Sequence, residues 1–244
     1  MKVANKFYKL SGKLVDLVYP WTCEMCGVNT NNKSICDQCE LYLPWCYADR
    51  RCDVCGLPIT GGTSHILICG QCQKQAPHFD HLSAAFWYQP PINHFITQYK
   101  YLNRWENVRT LTELSKQSLK SSSKNRIVIP VPSHDSRIRQ RGFNAVNELV
   151  KVLKKGCQFE YQDKLVKRIK NTQSQTGKTK AQRRKNVSNA FEINQFINAE
   201  HVLIIDEVVT TGATVNELSR CLKQAGVRKV SVWAMARTRV IGRA

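Results

Sequence analysis

The chain contains no uninterrupted apolar stretch approaching the ~18 residues of a membrane-spanning helix, so no integral membrane segment is expected in its 244 residues. The opening residues, Met1 to Pro20, also lack the continuous apolar centre of an export signal. Lys2, Lys6, Lys9, Lys13 and Asp16 break them into a short basic amphipathic helix, expected to pack on its own domain, with binding to a membrane surface as the lesser alternative. Acidic residues are scarce: 18 Asp and Glu against 37 Lys and Arg give a formal net charge of +19. Such a surplus favours polyanionic partners, namely nucleic acid, phosphorylated metabolites or an anionic membrane face. Cysteine is almost missing from the rear of the chain, where only Cys157 and Cys221 occur.

The other nine cysteines lie between Cys23 and Cys72. Without an export signal the expected compartment is a reducing cytoplasm, where dense cysteine argues for metal rather than disulfides. Eight form Cys-x-x-Cys pairs: Cys23 and Cys26, Cys36 and Cys39, Cys52 and Cys55, Cys69 and Cys72. Two such pairs supply the four thiolates of a tetrahedral structural zinc, so two zinc sites are expected. Pairing is sequential or interleaved, with the short intervals favouring the sequential order. Cys46 stands outside the pairs and is expected to pack rather than ligate. Residues 1–77 are therefore read as a double zinc-ribbon domain and 78–244 as a second domain. Lys33, Arg50, Arg51 and Lys74, with Trp21, Trp45 and Tyr47, suit contacts to nucleic acid. Glu24, Asp37, Glu40, Asp49 and Asp53 nearly cancel that charge, which suits a structural knob equally well.

Beyond residue 78, strand-like and helix-like patterns alternate, which argues for an α/β fold with a mostly parallel sheet. Strands are expected at 84–88, 127–131, 202–205 and 229–236, and helices at 92–101, 108–119, 144–154 and 215–225. Ser121 to Ser123 and the segment from Pro132 to Asn144 read as loops. The second of these carries Arg137, Arg139 and Arg141. His134 in the same loop is read as a surface hydrogen-bonding residue, with a ligand role as the lesser alternative.

The segment from His201 to Thr214 is the most informative. An apolar run of strand length ends in Asp206 and Glu207, then passes through Thr210, Thr211, Gly212, Ala213 and Thr214 into a helix. Ligands of open α/β sheets bind at the carboxyl ends of strands, and a helix N-terminus with free amides and hydroxyls suits phosphate. Acids beside a phosphate cradle suit a ribose phosphate. The basic residues Lys164, Lys167, Arg168, Lys170, Lys178, Lys180, Arg183, Arg184 and Lys185 occur with no acid until Glu192. Such a stretch is a lid over a diphosphate, a strip tracking a nucleic-acid backbone, or a solvated loop.

The layout from Asp206 to Thr214 resembles the phosphoribosyl diphosphate (PRPP) signature of type I phosphoribosyltransferases. The resemblance implies that Asp206 and Glu207 take the ribose hydroxyls, that Thr210 to Thr214 hold the 5-phosphate, and that Arg137 and Arg141 meet the diphosphate, with magnesium. Four Cys-x-x-Cys pairs, the run Pro130-Val131-Pro132, the run Arg141-Gly142-Phe143-Asn144 and Gln182 to Phe191 complete a resemblance to the ComF/GntX family of competence-associated proteins. Ala145 stands where Gln commonly follows in that family. Membership implies a bacterial cytoplasmic protein of natural transformation that handles incoming single-stranded DNA, with a helicase-like partner. An active phosphoribosyltransferase working on an unidentified acceptor is the alternative.

Overall fold

A computed structural model describes residues 21–48, 50–59, 67–123, 127–155, 157, 159–171 and 187–239. The amphipathic helix expected over 1–20 and the centre of the basic stretch, 172–186, lie outside the described residues. The chain divides into two compact units, Met1–Leu43 and Pro44–Ala244. The second group of cysteines belongs to the larger unit, where Cys52, Cys55 and Cys72 share one buried cluster with Leu82, Ile204 and Leu222.

The strands are β1 (His81–Trp87), β2 (Ile127–Pro130), β3 (Glu160–Tyr161), β4 (Val166–Arg168), β5 (Phe191–Ile193), β6 (His201–Val209) and β7 (Lys229–Arg237). Five of them form one sheet in the order β1-β7-β6-β2-β3, with every neighbouring pair parallel, and β4 and β5 form a separate antiparallel pair. This is the α/β architecture with a mostly parallel sheet that the alternating pattern implies. Among the described residues the α-helices are α1 (Asp37–Leu41), α2 (Gly70–Lys74), α3 (Ile92–Leu102), α4 (Trp105–Ser123), α5 (Asp135–Arg141), α6 (Ala145–Lys154) and α7 (Ala213–Gln224).

The central strands read as unbroken apolar runs because both faces of the sheet are covered. Alternation along a strand separates the faces. Val202 and Ile204 of β6, with Val230, Val232 and Ala234 of β7, join the buried cluster that contains Val215, Leu218 and Leu222 of α7. Trp233, of the opposite parity, points to the other face and donates its indole N–H to Ser118 Oγ of α4 at 3.1 Å. In α6 the residues Ala145, Val146, Leu149, Val150 and Leu153 are buried, a spacing that lays one apolar stripe against the sheet.

Two expected loops are helical. Ser121 to Ser123 form the last turn of α4 rather than a connection. The arginine-bearing segment contains α5, because His134 Nδ1 accepts from Ser136 N as an N-cap and Gly142, at φ 81°, closes the C-terminus. His134 thus serves local structure. The short strands β3, β4 and β5 were not anticipated; two or three residues are too few to show a period.

The turn at Cys52 to Leu57 is pressed against β1. Gly56 has φ +67°, and a Cβ there would lie 2.8 Å from the Leu82 carbonyl oxygen. Gly27 has a similar φ of +73° but open space around it. Gly56→Ala is expected to destabilise the zinc-loaded protein by about 2 kcal/mol or more, and Gly27→Ala by about half as much. Equal losses in denaturant titration would contradict the close approach.

Candidate functional site

The eight paired cysteines form two groups in sequential order: Cys23, Cys26, Cys36 and Cys39, then Cys52, Cys55, Cys69 and Cys72. In each, the four sulfurs lie within 4.8 Å of one another. Cys26 and Cys36 sulfurs are 3.8 Å apart, and those of Cys55 and Cys69 3.7 Å. A tetrahedron with zinc–sulfur bonds of about 2.3 Å has an edge of about 3.8 Å, so both groups fit that ion. The first Cys-x-x-Cys turn of each group is built alike. Cys23 N donates to Val28 O and Gly27 N to Cys23 O, while Cys52 N donates to Leu57 O and Gly56 N to Cys52 O. Amides also point at sulfur: Cys36 N at Cys23 Sγ (3.4 Å) and Cys69 N at Cys52 Sγ (3.3 Å). Burial opposes a charge on Cys23, yet the amides of Cys36, Cys26 and Met25 bring its thiol down to about 6. Cys46 is fully buried and belongs to neither group.

The second feature is a cleft of about 1120 Å³ at the carboxyl ends of β2 and β6. Its walls include Asp206, Glu207, Thr210, Gly212, Ala213, Thr214, Arg137 and Arg141. Of the nine residues assigned to a ribose phosphate by resemblance, only Thr211 is not a wall; its hydroxyl accepts from Ala213 N at 3.4 Å and shapes the turn. Gly212 adopts φ 79° and α7 starts immediately after it, so the first amides of a twelve-residue helix open on the cleft. Such amides form a site for an anion. Arg137 and Arg141 are one turn apart on α5 and share a face.

Two cations that the resemblance did not assign to this site complete the cleft. Lys100 of α3 forms an ion pair with Glu207 Oε2. Burial works against its charge, but Glu207 wins and raises the Lys100 pKa above its usual value. Arg168 of β4 is buried and lies over the Phe191 ring, 5.5 Å from its centre. Burial, reinforced by Arg137, lowers its pKa to about 10. Nothing local marks Lys100, since its partner lies on another element. Arg168 was one cation among nine, and only its alternation with Val166 hints at an inward position.

The two acids are not equivalent. Glu207 is 6% exposed, its Oε2 is held by Lys100, and its Oε1 is buried with no hydrogen-bond partner. Asp206 is more open; burial and the Glu207 charge raise its pKa from 3.8 to about 6, against the pull of Lys100 and Arg168. An unpartnered buried carboxylate oxygen costs about 1–3 kcal/mol until a donor reaches it. The cleft therefore offers acceptors for hydroxyls between cations and helix amides for phosphate.

A third cation ties the cleft to the second cysteine group. Arg237, at the end of β7, is 2% exposed. Its Nε donates to Cys55 O at 3.2 Å, and its Nη1 to Val209 O at 3.2 Å and Thr210 O at 2.5 Å. One guanidinium thus spans the metal-site turn and the start of the Thr210 to Thr214 turn.

Comparison with known proteins bears on what this architecture belongs to. Residues 14–73 match the model of the double zinc ribbon domain. Competence protein F of Haemophilus influenzae is 32% identical over 196 residues, covering 76% of this chain and 84% of that protein. DNA utilization protein YhgH of Escherichia coli K12 is 32% identical over 226 residues, covering 89% and 96%. The chain belongs to the ComF/GntX family. Among solved structures, a hypoxanthine phosphoribosyltransferase from Staphylococcus aureus matches at 13% identity with a TM-score of 0.34, covering 57% of this chain and 70% of that one. Among the described residues of this family member, no helix is long and apolar enough to cross a membrane.

Two outcomes are expected. Arg237→Lys keeps the charge but not the fork, and should lower the stability of the zinc-loaded protein by about 2–4 kcal/mol. Amide exchange at residues 210–214 should quicken in that variant, and equally in the unmodified protein when zinc is chelated; unaltered exchange in both would contradict the link. For Asp206, the folded state holds the proton more tightly than the unfolded chain. Stability is therefore greatest below 3.8 and is lost as pH rises to about 6. Asp206→Asn should raise the thermal midpoint above pH 6, with the gain shrinking as pH falls toward about 5. A gain that does not depend on pH would refute the buried-charge assignment.

Proposed function

We propose that this protein acts in natural transformation, handling incoming single-stranded DNA in the cytoplasm, and that its cleft binds a ribose phosphate of the PRPP type. Relatives named for competence and for DNA utilization support the first part. The second is carried by one observation: Asp206, Glu207, Thr210, Gly212 to Thr214, Arg137 and Arg141 line a single cleft. In this reading the amides and hydroxyls from Thr210 to Thr214 take the 5-phosphate, and Asp206 with Glu207 Oε1 accepts from the ribose hydroxyls. Arg137 and Arg141 meet the diphosphate in the charge-assisted manner suited to guanidinium. Magnesium, bound with the diphosphate, would offset its charge beside the acids. The two zinc ions would hold the two cysteine turns in shape, as structural zinc does. A helicase-like protein is the proposed partner.

A second reading, an active phosphoribosyltransferase, is favoured by the size of the cleft. At about 1120 Å³ it exceeds the usual range of about 300–1,000 Å³ for small-ligand pockets, leaving room for an acceptor amine beside the sugar. There the bond from ribose C1 to diphosphate would break, a C1–N bond would form, and the amine would lose a proton.

The test is calorimetric titration of the zinc-loaded protein with magnesium-PRPP. Asp206→Ala combined with Glu207→Ala is expected to abolish binding while zinc content stays the same. A double variant that binds normally would overturn the ribose assignment. Release of diphosphate dependent on an added amine would establish the second reading.

A further inference from the structure

We propose that the corner between α3 and α4 is the surface that carries single-stranded DNA, with bases stacking on Tyr101 and the backbone held by Arg104, Arg109 and Arg141. The inference rests on the reading that this protein handles single-stranded DNA, and it names where.

Helix α3 ends at Leu102, Asn103 turns the chain at φ 54°, and α4 starts at Trp105. The inward face of α3 is already filled by Ile92, Phe95, Ile96 and Tyr99. Tyr99 packs on Trp105 and Phe143, with ring centres 5.5 and 5.6 Å apart. Beyond Lys100, which turns inward to Glu207, the last two positions of α3 face solvent, where an amphipathic helix ordinarily carries polar residues. Here they are Tyr101, 67% exposed, and Leu102, 65% exposed. One exposed apolar side chain needs no account, but two in succession beside the partly exposed Trp105 make a patch.

The charge around the patch selects its occupant. The Arg141 guanidinium lies 5.3 Å from the Tyr101 ring centre, orienting the ring while most of its surface stays open. Arg104 is exposed on the turn, and Arg109 is exposed one helical turn beyond Trp105. Glu106 is the only acid in the run 99–112, and it meets Arg104 at 3.5 Å in an exposed pair of little strength. A ring flanked by guanidinium groups suits a polyanion with flat faces. Only an unstacked base can reach such a ring, so the surface favours single over double strands. Tyr101 and Arg141 also border the cleft, which brings the strand past its mouth.

The test is fluorescence anisotropy of labelled oligothymidylate with the zinc-loaded full chain. Tyr101→Ala should weaken binding on the order of ten-fold, and Tyr101→Phe should retain it. Arg104→Gln with Arg109→Gln should reduce the slope of log affinity against log salt by about 1.4. Zinc content and thermal midpoint are measured alongside to show that each variant is folded. If the unmodified protein fails to bind, the DNA-handling reading itself falls. If it binds and every folded variant binds equally with the same salt slope, DNA runs elsewhere and the corner is overturned, leaving it to a protein partner.

Discussion

The guanidinium of Arg237 is the constraint on which the larger unit depends. A cation withdrawn from water costs several kcal/mol unless hydrogen bonds replace its hydration, and burial holds its pKa below the usual arginine value. Three backbone carbonyls, of Cys55, Val209 and Thr210, supply those bonds. None of the three can leave without stranding the charge. The turn at Cys55, the end of β6 and the start of the Thr210 to Thr214 turn are therefore fixed as one body. The close seating of Gly56 on Leu82 serves the same end from the other side. The second cysteine group is accordingly held in the same buried cluster as the sheet.

Charge in the cleft follows a similar logic. Lys100, Arg137, Arg141 and Arg168 outnumber Asp206 and Glu207, so an anionic ligand relieves repulsion among the cations. The Lys100 pair spends one oxygen of Glu207 and leaves the other as a buried acceptor. Asp206, with its raised pKa, is the acid whose charge is least settled. A ligand bringing hydroxyls and phosphates satisfies both conditions at once.

What was legible in the sequence was local. Four Cys-x-x-Cys pairs announce thiolate groups because the spacing itself wraps a turn around a metal, and the run from Asp206 to Thr214 spells strand, acids, turn and helix in order. The parallel sheet was readable from apolar runs covered on both faces. What stayed hidden depends on distant partners. Arg237 looks like an ordinary strand-end charge until Cys55, 182 positions away, is brought beside it. Lys100 sits in a helix read for its apolar face, and Arg168 was lost among the basic residues around it. The segment around Arg137 and Arg141 looked like a loop because its capping residues, His134 and Gly142, are read as turn formers as easily as helix ends.

The most direct measurement is a crystal structure of the zinc-loaded protein with ribose 5-phosphate. The phosphate is expected on the amides between Gly212 and Thr214, with the ribose hydroxyls reaching Asp206 and Glu207 Oε1. A phosphate bound elsewhere, with the Thr210 turn empty and both acids untouched, would contradict the account.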